Sequence, residues 1–567
     1  MTPREYRTSP KAALAVGRWL TISLCLIATL GVGQAAGATD KVAAKTLLIG
    51  IGDSLTQGTM DATDNGTNTL SAYLQKVYES LAQKLPLVFG QPLLSDQGQR
   101  LTPFAVPTNL GVDGADIFSV EGIQYYKRVG ASQSYVSSDL LADKALPALF
   151  KDMYDRALYP INLLAKKPVS QLDAASWLLN QGATAARLSR ALVILWMGNN
   201  DASLAALGSG GKNPAFLPIP VDQIQPEMPL LALLMKIGEQ KGLLSFSPYS
   251  LASIERNLTD LQDFVTQYDH VLTRLLTGGA ASGIQMDVFV LTLPYYSAVG
   301  YLFDSEDLEF YLQKVNPAYT VPPTFQRVAA PGQPITDPFK GDRVSLLTFG
   351  LMYALLTSGY SVDYVNQVLE VEGQQRDGLV LSETEQQYIM SRIDGFNESI
   401  KQAAANGGPH VHLIDVGQYM NDALSGKVPV MIGDRVLTRK WVRGSSFTLD
   451  GVHPSYTGQA LVANFLLKDL NEVLGVNAPL YDLSMILASD PYVDQDGDGW
   501  APGPNYSASG ITNLLFLFKD PNDANPAVQP VLPPDVWQQI GKALLGEILN
   551  LPPMREEAAR IGLIPGN

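Results

Sequence analysis

The sequence predicts an α/β protein built on a doubly wound parallel sheet. Four short apolar runs, at residues 46–51, 191–197, 288–293 and 410–416, are typical of parallel strands that are buried on both faces. Segments with helical length and periodicity separate these runs. Strands that alternate with helices in this way indicate βαβ units and therefore a parallel sheet with helical crossovers.

The first 38 residues have the pattern of a secretory signal. Four basic residues precede an apolar run at 19–32, and small residues follow it up to Ala38. Such a basic segment, apolar segment and Ala-x-Ala end are typical of a signal that is cleaved after export. An uncleaved membrane anchor is the alternative, but the apolar run is shorter than the ~20 residues that a spanning helix needs. We therefore expect a secreted or periplasmic protein.

Helical patterns connect the predicted strands. Apolar residues recur at helical spacing over 70–81, and a longer apolar stripe covers 251–275 and is expected to end at Gly278 and Gly279. Ser170 and Asp173 are spaced like a capping box that opens another helix.

Three regions do not follow this alternation. Residues 203–250 and 304–382 are predicted to be insertions into the core sheet, and residues 477–567 are predicted to form a C-terminal appendage rich in Pro and Asp. The remainder of residues 39–476 is then one domain. The length therefore reflects one interrupted domain rather than the roughly four domains that 567 residues would allow.

The composition excludes several classes of protein. The chain has a formal net charge of −15 and no cluster of Lys and Arg, so nucleic acid is a poor partner. Its single cysteine lies within the predicted signal, which excludes an intrachain disulfide and a multi-cysteine zinc site. Because the chain has only four histidines, few positions are available for acid–base chemistry.

A serine directly follows the first predicted strand. Ser54 lies in the tetrapeptide Gly-Asp-Ser-Leu at 52–55. The carboxyl ends of parallel strands are where α/β sheets bind their ligands, and small neighbours would let a substrate carbonyl approach the hydroxyl. Ser54 is therefore a candidate nucleophile, and a helix-capping role is the alternative.

An aspartate and a histidine lie three residues apart near the other end of the predicted core. A neutral imidazole at His453 can take a proton from a serine hydroxyl, and the carboxylate of Asp450 can fold back to hold the other ring nitrogen. The alternative is a surface turn closed by Pro454, but the scarcity of histidine favours the catalytic interpretation. We expect structural roles for the remaining histidines, which are His270, His410 and His412.

Two more segments at predicted strand ends offer hydrogen-bond donors. Residues 109–115 run into a glycine loop, and Gly114 of such a loop can present its backbone N–H to an anionic oxygen. The Gly-Asn-Asn-Asp segment at 198–201 adds the side-chain amide of Asn200. Each segment alone is weak evidence, because Gly-Asn turns are common after strands.

Together, and in this order, the four segments resemble the SGNH (GDSL) hydrolase family. In that family a Gly-Asp-Ser block supplies the nucleophile, an Asn-x-x-x-x-Gly block and a Gly-x-Asn-Asp block supply oxyanion donors, and an Asp-x-x-His block supplies the base. The resemblance implies a three-layer α/β/α sandwich with a flavodoxin-like parallel sheet. It also implies the following roles: Ser54 as nucleophile, His453 as base, Asp450 as the partner that orients it, and an oxyanion hole formed by Ser54, Gly114 and Asn200.

The implied activity is hydrolysis of an ester through an acyl-enzyme intermediate, with no cofactor in the chemistry. Apolar stretches of the two insertions, at 230–235 and 346–356, favour a lipid or aryl ester and contact with a membrane surface. Their alternative role is to form the core of an extra helical layer. Two other functions stay open: a carbohydrate O-deacetylase of the same family, and a non-catalytic surface binding protein. The complete set of residues argues against the second.

A separate candidate site is acidic. Asp494, Asp496 and Asp498 occupy alternate positions before a glycine, as in the first half of a calcium loop. The twelfth position of such a loop is Asn505 rather than Glu, and Asp520 or Asp523 could supply the missing ligand. A structural calcium ion would stabilise an exported protein that has no disulfides, and a solvated acidic linker is the alternative.

Overall fold

The computed structural model shows a mixed α/β fold around a five-stranded, all-parallel sheet. It describes residues 45–122, 153–207, 251–322, 341–504 and 552–565, without positions 62, 96–97, 186–187, 358, 368, 372–373 and 376–379, and with isolated residues at 230–237, 545 and 549. The predicted signal and most of the insertion at 203–250 lie outside the described residues.

The strands are spread along the whole described chain. Their bounds are β1 Lys45–Gly52, β2 Leu87–Val88, β3 Leu188–Trp196, β4 Gln285–Leu291, β5 Leu302–Phe303, β6 Arg343–Ser345, β7 Glu370–Val371, β8 Gln374–Gln375, β9 Val380–Leu381, β10 Val411–Ile414, β11 Val430–Ile432 and β12 Arg435–Leu437. The central sheet has the order β10-β4-β3-β1-β2, and each pair of neighbours is parallel.

The helices lie between these strands in the sequence. Their bounds are α1 Ser54–Gln57, α2 Gly66–Ser71, α3 Tyr73–Leu81, α4 Met153–Leu158, α5 Ile161–Ala165, α6 Gln171–Ala185, α7 Asn200–Leu207, α8 Leu251–Asn257, α9 Leu261–Ser282, α10 Ser305–Val315, α11 Leu346–Thr357, α12 Val362–Asn366, α13 Glu383–Asn406, α14 Val416–Leu424, α15 Tyr456–Leu474, α16 Leu483–Leu487 and α17 Pro552–Arg560.

All four predicted strands belong to the central sheet, as β1, β3, β4 and β10. The apolar residues of β1, β3 and β4 are largely buried, which explains why these runs show no alternation of polar and apolar side chains, whereas Leu413 of the edge strand β10 is exposed. The run predicted at 410–416 forms a shorter strand than expected. It ends at Ile414 because Asp415 caps the next helix, α14.

The helical predictions are correct in place but wrong in some bounds. The stripe predicted over 251–275 is divided into α8 and α9, because Asp260 caps a new helix. The pattern over 70–81 is broken at Ala72, whose extended backbone separates α2 from α3. Gly278 and Gly279 do not end α9, which continues to Ser282 and stops at Gly283 with a φ of +71°. Gly279 instead gives room to β4, because a Cβ there would lie 2.5 Å from the Cε of Met286. The capping box predicted at the start of α6 is present.

Helices cover the sheet and pack against each other. Helix α9 packs between α6 and α13, and these helices contact strands β1, β3, β4 and β10. Helix α3 packs against α15 and lies close to β1, where a Cβ on Gly50 would be 2.2 Å from the Cδ2 of Leu74. This arrangement is compatible with an α/β/α sandwich.

The described part of the insertion at 304–382 has its own helices and a small antiparallel sheet in the order β5-β6-β9. Leu346, Phe349 and Met352 of its apolar stretch are buried in the main core. These side chains therefore act as core residues, which is the alternative role considered for the stretch. In the other stretch, Leu230 and Leu233 are exposed. Among the described helices, we find none with the length and apolar character needed to cross a bilayer.

Candidate active site

Ser54 lies in the tight turn that follows β1. The strand ends at Gly52, and the carboxylate of Asp53 accepts a hydrogen bond from the backbone N–H of Leu55 (3.0 Å), so that Ser54 starts the one-turn helix α1. A Cβ at position 52 would lie 2.6 Å from the Cβ of Thr56, so the close turn requires glycine. The side chain of Ser54 is held in a largely water-excluded position, with 9% of the residue exposed.

Asp53 connects this turn to the end of strand β3. One of its carboxylate oxygens accepts a hydrogen bond from the Nδ2 of Asn199 (2.9 Å). Burial raises the pKa of Asp53 to about 6, although the bond from Asn199 and the charge of His453 act in the opposite direction. The carbonyl of Asn199 accepts a hydrogen bond from the hydroxyl of Tyr296 (2.8 Å), which fixes the asparagine from the other side.

The segment 109–115 runs along the carboxyl end of β1. Asn109 forms a parallel bridge with Gly50, and the N–H of Val112 donates to the carbonyl of Gly52 (3.1 Å). Gly114 has a φ of +75°, and no atom outside its neighbours lies within 4 Å of the position that a Cβ would take. The segment therefore brings a left-handed glycine with an open face to the edge of the sheet that carries Ser54.

Asn200 lies at the same edge, as the first residue of α7. Its Nδ2 donates to the carbonyl of Ala115 (3.0 Å), and its Oδ1 accepts from the hydroxyl of Ser203 (3.0 Å). Asp201 closes the connection, because its carboxylate accepts from the N–H of Ile117 (3.0 Å). The structure thus brings the segments around Gly114 and Asn200 together.

Asp450 and His453 form a hydrogen-bonded pair in an irregular turn. The Nδ1 of His453 lies 2.7 Å from the Oδ2 of Asp450. The Oδ1 of Asp450 accepts from the N–H groups of Val452 (2.8 Å) and His453 (2.9 Å) and from the hydroxyl of Thr448 (2.8 Å). Gly451, with a φ of +70°, allows the chain to fold back between the two residues. We call residues 448–453 the acid–base turn.

Charges on the segments of Ser54 and Gly114 also act on His453. The charges of Asp53 and Asp113, which precede Ser54 and Gly114 in the sequence, both act on the pKa of His453. The charge of His453 in turn acts on the pKa of Asp53.

The pair carries strongly shifted pKa values. Burial by itself would lower the pKa of His453, but attraction to Asp450 and the hydrogen bond between them raise it to about 9. Burial also opposes ionisation of Asp450, yet attraction to His453 and the surrounding hydrogen bonds lower the pKa of Asp450 to about 2. The neutral imidazole, the form that can accept a proton, is therefore populated as the pH rises.

The sequence analysis did not find several residues that join these segments. The Nε2 of Gln171 donates to the carbonyls of Gly52 and Leu110, both at 2.7 Å. The carboxylate of Asp61 accepts from the N–H of Leu449 (2.8 Å). Each of these contacts joins residues far apart in the chain, so no local spacing could have pointed to them. Asn199 was visible in the Gly-Asn-Asn-Asp segment but was not singled out.

The three predicted metal ligands come together in a loop that we call the acidic loop (residues 494–500). One carboxylate oxygen from each of Asp494, Asp496 and Asp498 lies within 4.8 Å of the others. The carboxylate of Asp494 is buried and accepts from the N–H groups of Gly497 (2.6 Å) and Gly499 (2.7 Å). This set of hard oxygen donors fits a calcium ion. Asn505 and the closing ligands considered above, Asp520 and Asp523, lie outside the described residues.

The other histidines interact with buried carboxylates away from this edge of the sheet. His270 on α9 contacts Glu121 (2.8 Å). His410 and His412 both contact the Oδ1 of Asp287, at 3.0 and 3.2 Å, near the amino ends of β4 and β10. These contacts agree with structural roles.

Comparison of the chain with protein-family models, with curated proteins and with solved structures gave no match.

Proposed function

We propose that the protein is a serine hydrolase that cleaves carboxylic esters through an acyl-enzyme intermediate, on an α/β/α sandwich of the SGNH type. The observation that carries the proposal is the Asp450–His453 pair, which is hydrogen-bonded at 2.7 Å in a turn that contacts Asp61, seven residues after Ser54. A nucleophile, a base and a group that orients the base are the parts that this chemistry needs.

In the proposed first step, the Oγ of Ser54 attacks the ester carbonyl carbon and its proton passes to the Nε2 of His453. The tetrahedral intermediate then collapses, and His453 returns the proton to the departing alcohol. Water repeats the sequence on the acyl-enzyme and releases the acid. Asp450 keeps the proton on Nδ1, so that Nε2 faces the reaction, and stabilises the imidazolium that forms.

The oxyanion of the intermediate would be stabilised by the N–H of Ser54, the N–H of Gly114 and the side-chain amide of Asn200. Two features support this assignment. The space at the Cβ position of the left-handed Gly114 is open, and the hydrogen bond from Asn200 to the carbonyl of Ala115 (3.0 Å) holds the amide beside the Gly114 segment. The loss of one such donor typically lowers kcat by about 10²–10³-fold.

The substrate class in the proposal is a lipid or aryl ester. Exposed leucines at 230 and 233 support an apolar contact, while the burial of Leu346, Phe349 and Met352 removes these side chains from consideration as a lid. The predicted signal adds export to the proposal, so the substrate would lie in the periplasm or the medium. The net charge of −15 argues against nucleic acid as a partner.

The direct test is the variant Ser54→Ala in the mature protein. We expect it to lose hydrolysis of a short-chain nitrophenyl ester and labelling by a fluorophosphonate, while its circular dichroism and melting temperature stay near those of the wild type. Undiminished turnover in this variant would refute the proposal. A panel of nitrophenyl esters of increasing acyl length, together with acetylated sugars, would then identify the substrate class. Preference for the sugars would favour the O-deacetylase alternative.

A further inference from the structure

We propose that Asp61 is a positioning residue, which fixes the acid–base turn relative to Ser54. The inference rests on the proposed function, because positioning has meaning only if His453 serves Ser54. Asp61 belongs to none of the four motifs and lies seven residues after Ser54. It is 4% exposed, so its carboxylate makes its contacts inside the protein.

Asp61 contacts the acid–base turn through both its side chain and its backbone. Its Oδ1 accepts hydrogen bonds from the N–H groups of Leu449 (2.8 Å) and Asp450 (3.3 Å). Its own N–H donates to the Oγ1 of Thr448 (3.3 Å). Three consecutive residues of the turn are thus held by one aspartate.

These contacts lead directly to the imidazole. The hydroxyl of Thr448, which accepts from Asp61, donates to the Oδ1 of Asp450 (2.8 Å), and the Oδ2 of Asp450 holds the Nδ1 of His453 (2.7 Å). A shift of the turn would therefore move the carboxylate that orients the imidazole.

Asp61 is itself fixed to the nucleophile segment. The carbonyl of Ser54 accepts from the N–H of Thr59 (3.0 Å), two residues before Asp61. Met60 and Thr63 form a pair of backbone hydrogen bonds across the Asp61 turn, both at 2.9 Å. The backbone of Asp61 has a φ of +51°, a conformation that Asp and Asn adopt more readily than most residues. The residue type therefore suits both the turn and the contact.

Other anchors hold the acid–base turn from different directions. The indole N–H of Trp441 donates to the carbonyl of Leu449 (3.0 Å), and the N–H of Tyr301 donates to the carbonyl of Gly451 (2.8 Å). Neither residue belongs to the segment of Ser54. Removal of the Asp61 carboxylate should therefore leave the turn folded but free to shift against the nucleophile.

The experiment compares three variants of the mature protein by steady-state ester hydrolysis. Asp61→Gly removes the carboxylate and tolerates the positive φ, so it separates loss of the contact from backbone strain. Asp61→Asn keeps an oxygen that can accept the two N–H groups. Asp287→Ala is the matched control, because it removes another buried carboxylate, 3% exposed, at the opposite end of the sheet.

We expect Asp61→Gly to lower kcat by about 100-fold with KM near the wild-type value, since a shift of about 1 Å in a catalytic group has an effect of that size. Asp61→Asn should retain most of kcat, and Asp287→Ala should lose thermal stability but keep kcat. The inference is overturned if Asp61→Gly is no slower than Asp287→Ala, or if Asp61→Asn is as impaired as Asp61→Gly.

Two further measurements keep the test decisive. If Asp61→Gly does not fold, Asp61→Ser keeps a polar side chain that is one bond too short to hold the N–H groups of Leu449 and Asp450, and an unchanged kcat in that variant would refute the inference. If the wild type hydrolyses no ester and Ser54 is not labelled by a fluorophosphonate, the proposed function itself fails. An active wild type with an inactive Ser54→Ala variant assigns any failure to the role of Asp61 alone.

Discussion

Replacement of Asp450 by asparagine gives the sharpest test of how the acid–base turn works. The substitution keeps the size of the side chain but removes the charge that His453 faces at 2.7 Å. Burial lowers the pKa of His453, and the substitution would remove the attraction to Asp450 that mainly counteracts this effect. We therefore expect the pKa of His453 to fall below its wild-type value, so that the neutral imidazole is present at a lower pH.

The shifted pKa values set the size of the effect. The pKa of His453 rises from 6.5 to about 9, and that of Asp450 falls from 3.8 to about 2. At 1.36 kcal/mol for each tenfold change in the proton equilibrium, these net differences correspond to about 2 to 3 kcal/mol, which is a lower limit for the attraction because burial opposes both shifts. This energy stabilises the imidazolium that forms during the reaction. Its loss alone should lower kcat by about 30- to 150-fold, and loss of the correct tautomer should bring the total towards about 10⁴-fold.

The assay is the dependence of kcat/KM on pH for a neutral nitrophenyl ester. Wild-type activity should rise through the alkaline range, because the base must lose a proton whose pKa is raised. In Asp450→Asn the rising limb should move to lower pH while the plateau falls. Asp287→Asn serves as the control, since it removes a charge at the far end of the sheet and should leave the limb in place. An unchanged limb in Asp450→Asn, with a plateau within about threefold of the wild type, would refute the assignment of the pair.

Three other predictions concern stability and the site. The Asp450–His453 pair should stabilise the fold most between pH 4 and 6.5. The contribution of Asp450 is lost as the pH falls from 3.8 towards 2, and that of His453 is lost as the pH rises from 6.5 towards 9. Urea unfolding of the wild type and Asp450→Asn at a series of pH values measures this window. Calcium at 100 times its Kd should stabilise the wild type by about 2.7 kcal/mol but not Asp496→Asn, and a melting temperature that ignores both calcium and a chelator would argue against an ion in the acidic loop. Gly111→Ala should destabilise the protein more than Gly114→Ala, because its Cβ would meet the backbone nitrogen of Gln57 at 2.3 Å whereas that of Gly114 meets open space; Gly114→Ala should instead reduce kcat, and equal stability of the two variants would contradict this reasoning.

Most of the central sheet could be predicted from the sequence because a buried parallel strand is a short run of apolar residues. The runs that became β1, β3 and β4 are apolar and buried over most of their length, as a covered parallel sheet requires, whereas β10 at the sheet edge keeps Leu413 exposed. Helix bounds were less predictable, because tertiary contacts decide them. Gly279 did not end α9, since the space it leaves is filled by Met286 of β4.

In the candidate site too, features with a local sequence pattern could be predicted and features that depend on tertiary contacts could not. Ser54, Asp450 and His453 could be predicted from the sequence because each lies in a short motif whose spacing indicates a particular chemistry. Asp61 and Gln171 could not be predicted, since their importance comes from hydrogen bonds to residues that are distant in the chain. A single sequence indicates which residues could react. The residues that hold those groups in place can be identified only from the three-dimensional structure.

The insertion at 304–382 also contacts the acid–base turn indirectly, through residues 439–443, which precede the turn in the sequence. The buried carboxylates of Asp304 and Asp307 at the start of α10 pair with Arg439 and Arg443. A buried carboxylate that loses its cation is strongly destabilised, so these pairs hold residues 439–443 against the start of the insertion. The indole of Trp441, inside this segment, then donates to the turn at Leu449 (3.0 Å). The acid–base turn is thus held by charged and aromatic contacts that reach it from the insertion through residues 439–443, in addition to its contacts with Asp61.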